Sequence, residues 1–181
     1  MYQISELPFL ANWQNFYIII GTASATLTGL MFVVITLTAG LERHPSALDA
    51  GISAFITPAI VHFGVVLLTV AILSMPWQAV TSLSILLGMV GIGGFVYLIV
   101  VMRKLGNIPG RQTPVHDWVW YAILPLIPYI ALISAAIMLL STPEPALYLI
   151  SAQMILLMFI SIRNAWDLVT YFTTARYHAG E

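Results

Sequence analysis

The chain has no cysteine, and its 181 residues include six lysines and arginines and seven aspartates and glutamates. Without cysteine there is no disulfide framework, thiolate metal site or sulfur nucleophile. The formal net charge of -1 offers no basic footprint for nucleic acid, so no nucleic-acid partner is expected. A cleavable signal peptide needs a basic start, yet the first cation is Arg43, beyond the first hydrophobic run. The stretch Thr22-Ala23-Ser24-Ala25 imitates a cleavage site, but hydrophobic sequence continues past it to Leu41.

Motifs that carry common chemistries are also missing. There is no Walker A loop, dinucleotide fingerprint or potassium-filter sequence. The four histidines occur singly, without the His-Glu-x-x-His spacing of a metal site. No nucleophile-base-acid set is recognisable, and the carboxylates within predicted spans sit at span ends. An enzyme is therefore not the expected class, and no metal or cofactor is predicted.

What the chain does have is apolar sequence: 60% of residues are hydrophobic and 7% charged, with mean hydropathy +0.97. Soluble domains carry about 25% charge. The expected class is an all-α polytopic integral membrane protein, with the lipid bilayer as its first partner.

A spanning helix needs about 20 apolar residues. Uncharged runs extend over Leu7 to Leu41, Ala50 to Met102, Trp118 to Pro143 and Pro145 to Ile162. The second run is too long for one helix. It divides at Ser74-Met75-Pro76-Trp77-Gln78, where proline lacks a helical donor and tryptophan favours the interface. The expectation is one domain, 1–181, of five transmembrane helices in a compact bundle, at about 13–41, 51–75, 79–104, 116–141 and 145–175.

Orientation follows from the positive-inside rule. Arg43, Arg103, Lys104, Arg111, Arg163 and Arg176 are all six basic residues. In a five-span chain they share one side, opposite Glu6 and Glu144. That predicts an N-terminus outside and a C-terminus in the cytoplasm of a bacterial-type inner membrane. Trp13 and Trp77 then fall at outer ends, with Trp118, Trp120 and Trp166 at inner ones, as indole rings prefer.

Candidate functional residues are the polar groups that remain in this apolar setting. His62 lies about 16 Å into the second span, near the midplane of a roughly 30 Å hydrocarbon core, one turn after Pro58 and near Thr57. An intramembrane ionisable residue is a functional candidate by default, and the alternative is a neutral imidazole fastening two helices. In the last span, Gln153, Ile160, Asn164, Asp167 and Tyr171 share one helical face, with Arg163 on its edge. Asp167, one turn after Arg163, is placed to form a cytoplasmic ion pair with it. Asp117 is read as a charge at a helix N-terminus.

Gly21, Ala25 and Gly29 recur at four-residue spacing in the first span, and Gly88, Gly91, Gly93 and Gly94 populate the third; both sets permit close helix packing. Three functions follow as expectations. The first is a small homo-oligomeric channel or transporter for an ion, with a proton-linked form included, or for a small solute. Thr57, Pro58 and His62 would gate it, while Gln153, Asn164 and Asp167 would line its inner approach. The second is a non-transport scaffold or regulator of another membrane protein. The third is a haem- or quinone-binding redox subunit with His62 as the contact, although His62 has no intramembrane histidine partner in its own chain.

Overall fold

A computed structural model describes residues 7–39, 45–106 and 114–178, and among them the protein is all helical, with no strand. Side chains are described outside residues 37–39, 45–56 and 171–178. Glu6, Arg43, His44 and Arg111 lie outside the described residues, as do the side chains of Ser53, Tyr171 and Arg176.

A short helix α1 (Pro8–Ala11) begins with proline, whose fixed φ suits a first helical position. Long helices follow: α2 (Gln14–Ala39), α3 (Pro45–Leu73) and α4 (Val80–Gly106). The next crossing is composite, with α5 (Val115–Trp118), a π turn at Val119–Ile123, and α6 (Leu124–Met138). Helix α7 runs unbroken over Pro143–His178, 36 residues. Four stretches are long and apolar enough to cross a membrane: Gln14–Thr36, Val80–Gly106, Val115–Met138 and Pro143–Thr170. The apolar stretch of α3, Thr57–Leu73, is shorter.

The divide expected around Pro76 lies between Leu73 and Val80. There the Trp77 indole N–H donates to the Ile72 carbonyl at 2.6 Å, an acceptor at the end of α3 that also takes the Met75 backbone N–H at 3.2 Å. Two helices start earlier than their apolar runs suggest, α3 at Pro45 and α7 at Pro143, because proline is well tolerated in a first turn. The π turn precedes Pro125, which has no N–H to offer the preceding helical turn.

Helix α3 packs between α2 and α7 and also meets α4; α6 packs between α4 and α7. Large apolar side chains, including Ile18, Phe32, Met89, Ile92, Ile127 and Phe159, face outward. Ser24, His62, Gln153, Ser161 and Asn164 are buried among the helices. This inversion of the soluble pattern suits a lipid surroundings, where polar groups turn to the bundle interior.

Hydroxyls and glycines set the crossings. Ser24 Oγ donates to the Phe63 carbonyl at 2.7 Å, joining α2 to α3, and Ser84 Oγ donates to the Ala136 carbonyl at 2.6 Å, joining α4 to α6. A β-carbon on Gly91 would stand 2.7 Å from Ile133 Cγ1 and 3.2 Å from its backbone nitrogen. Gly88 is looser, 3.8 Å from Ala136 Cβ by the same construction. On α2 the small residues divide. Gly21 is buried against Val70, whereas Ala25 is exposed and nothing lies within 4 Å of a β-carbon at Gly29.

Candidate functional site

His62 is fully buried near the middle of the bundle. Its Nδ1 lies 2.8 Å from the hydroxyl of Tyr129 on α6, a hydrogen bond whose donor depends on the imidazole tautomer. The Tyr97 ring on α4 meets the imidazole edge-on, with centroids 6.3 Å apart, and the Tyr129 ring is tilted against it at 5.7 Å. Three helices thus converge on one imidazole. Gly94 permits it, since the Tyr129 ring fills the space that a β-carbon there would occupy. Pro58, one turn before His62, is buried, and Thr57 lies on the exposed surface.

Helix α7 supplies further interior polarity. Gln153 and Asn164 are eleven residues apart, about three turns, so both face inward. Neither side-chain amide has a hydrogen-bond partner at its oxygen or its nitrogen, and His62 Nε2 has none either. Ser161, in the same region, is satisfied by donating to the Leu157 carbonyl at 2.8 Å. Met31, Ala59, Phe63 and Leu168 form one apolar cluster, with Ala165 packed against it. That cluster sets the Asn164 turn of α7 beside the Ala59–Phe63 turn of α3.

Burying an amide without a partner costs on the order of 2–7 kcal/mol, so such groups are rare inside proteins. Among the described residues His62, Gln153 and Asn164 carry such groups, as does the Tyr17 hydroxyl, which is unusual within one bundle.

A second polar group stands toward the end where α5 begins. Arg163 and Asp167 form an ion pair across one turn of α7. The same guanidinium lies over the Trp120 ring, its Cζ 5.0 Å from the centroid, and its Nη2 is 3.2 Å from His116 Nε2. Arginine can only donate, so the contact requires a lone pair on His116 Nε2. The neutral imidazole then carries its proton on Nδ1, which lies 3.8 Å from Asp117 Oδ1. Protonating His116 would set two donors against each other and remove the contact. Arg163 and Asp167 are each about one third exposed, at 31% and 33%, which places this group at a boundary rather than in the interior.

Of the candidates read from sequence, His62, Pro58, Gln153 and Asn164 are buried in the bundle, Arg163 and Asp167 lie together at its edge, and Thr57 stands apart. Sequence reasoning did not single out Tyr97 or Tyr129. Their available signal was a tyrosine placed within an apolar span, in one case next to Pro128. It also missed the meeting of His116 with Arg163, which are 47 positions apart.

No protein family, curated protein or solved structure matches this chain.

Proposed function

We propose that this chain is a small transport protein of a cell membrane, passing protons, or a solute coupled to them, along a polar route inside its helix bundle. The observation that carries this reading is the state of His62. It is wholly buried and held by Tyr129 through Nδ1, and its second nitrogen is left for exchange with a mobile partner. Histidine can donate and accept protons through two distinct nitrogens, as a relay residue must. Gln153 and Asn164 extend the interior polarity along α7, and their unpaired amides fit a path that is intermittently hydrated. The Tyr97 and Tyr129 rings pack on the imidazole, and under this reading they would have to move for protons to pass.

The accompanying topology has five spans, with α3 as the fifth, an outer N-terminus and a cytoplasmic C-terminus in an inner membrane. The confinement of basic residues to one side of such a chain supports it. Self-association is part of the proposal. Helix α2 is the least covered of the four long apolar helices and presents Thr22, Ala25, Thr26 and Gly29 outward. A second copy could pack closely there.

Purified protein in liposomes containing a pH-sensitive dye tests this reading. An imposed potential should drive proton entry above that of protein-free vesicles. No entry at any potential or pH gradient, and no movement of a coupled ion, would contradict it.

One observation favours a non-transport scaffold. Three buried polar groups, Ser24, Ser84 and His62, make hydrogen bonds that fasten pairs of helices. That reading predicts silent liposomes and co-purification with another membrane protein from native membranes.

A further inference from the structure

A cleft of about 250 Å³ opens at the opposite end of the bundle from the Arg163 group, between α1, the start of α2 and the turn after α3. Leu7, Leu10, Gln14, Tyr17, Ser74 and Trp77 contribute to its wall. We infer that this cleft binds the head of an uncharged, carbonyl-bearing amphiphile that enters from the bilayer.

The chemistry of the wall selects this class. It contains no charged side chain, so neither a phosphate nor an ammonium group would find a counter-ion there. Tyr17 is 3% exposed and its hydroxyl has no partner in the protein, leaving a buried phenolic donor that a carbonyl oxygen would satisfy. Gln14, one turn earlier on α2, adds amide donors at the exposed margin. The other polar donors are already used: Ser74 Oγ donates to the Val70 carbonyl at 2.9 Å, and the Trp77 indole donates to Ile72. Leu10 and Leu73 supply a buried apolar surface for a ring or acyl segment.

Access is from the side. Ile18 and Met75, which also border the cleft, are 65% and 52% exposed, so its margin continues into the apolar outer surface of the bundle. Trp13 and Trp77 mark the interfacial level, where the carbonyls of membrane amphiphiles reside. The volume suits a single ring or a glycerol ester region rather than a whole lipid, leaving the chain to run along α2.

A quinone ring and the ester carbonyls of a glycerolipid share this chemistry, and two probes separate them. Protein in nanodiscs is titrated with a short-chain benzoquinone or with an uncharged diacylglycerol brominated near the ester. The readout is the part of tryptophan quenching that disappears in Trp77→Phe. Saturable quenching by the benzoquinone, with half-saturation raised about fivefold in Tyr17→Phe through loss of one hydrogen bond, identifies a quinone-type ligand. Saturable quenching by the brominated lipid alone, with the same dependence on Tyr17, identifies a bound glycerolipid. Quenching that never saturates, or that is identical in Tyr17→Phe with unchanged thermal stability, overturns the inference.

Discussion

The ring of Tyr129 lies where a β-carbon on Gly94 would stand, so the hydrogen bond between Tyr129 and His62 depends on a missing side chain on a third helix. Helices α4 and α6 are thereby held close enough for α6 to present its phenol to α3. Gly94→Ala should lower stability by about 1–3 kcal/mol or prevent folding, because the ring must move off a well-packed position. In a Tyr129→Ala background the same glycine change should cost little. Thermal unfolding of the two single variants and the double variant measures this coupling.

Removing only the Tyr129 hydroxyl separates packing from hydrogen bonding. Tyr129→Phe keeps the ring on Gly94 and leaves His62 Nδ1 without its partner. Interhelical hydrogen bonds in membrane proteins contribute about 0.6 kcal/mol on average, with values up to about 1.7. A loss in that range is expected in unfolding measurements, and under the transport reading proton flux should change far more than stability does.

The two glycine sets should respond in opposite ways. Gly91→Ala should destabilise the protein by about 1–3 kcal/mol, since the new methyl meets Ile133 side chain and backbone. Gly29→Ala has open space around it and should be neutral or stabilising by up to about 1 kcal/mol in the protomer, through better helix propensity. Gly29→Leu, assayed by cross-linking or mass in detergent, tests whether the exposed face of α2 meets a second copy: a lost oligomer supports that contact, and an unchanged one removes it.

Arg163 should not tolerate lysine. Its planar guanidinium serves Asp167, His116 and the Trp120 face together, whereas an ammonium can retain the ion pair but not the stacked fork. Arg163→Lys should lower stability by about 1 kcal/mol. Imidazole nitrogen chemical shifts of His116 check the tautomer that its contact with Arg163 requires, with the proton on Nδ1.

Much of this arrangement was legible along the chain and little of it across the chain. Local physics marked the break at Pro76, because a proline and a tryptophan stand between two apolar runs. Helical periodicity alone puts Gln153 and Asn164 on one face, and the packing of α7 turns that face inward. The starts at Pro45 and Pro143 were misplaced by a few residues, since hydropathy locates the apolar stretch and not the end of hydrogen bonding. Thr57, next to Pro58 in sequence, points outward because adjacent positions on a helix do not share a face. Tyr129 was hidden for a different reason: its role needs α4, α6 and α3 to meet, and neither its separation from His62 by 67 positions nor the composition of its own span announces that.

The central claim is that His62 moves protons through the bundle. It is tested most directly by proton entry into liposomes carrying equal amounts of folded wild-type protein and His62→Ala, driven by the same imposed potential. The account predicts dye-reported flux for the wild type and a loss of at least about tenfold in His62→Ala, the lower end of what removing a proton-transfer group costs. Flux that is unchanged by the substitution would contradict it and leave His62 as a helix fastener.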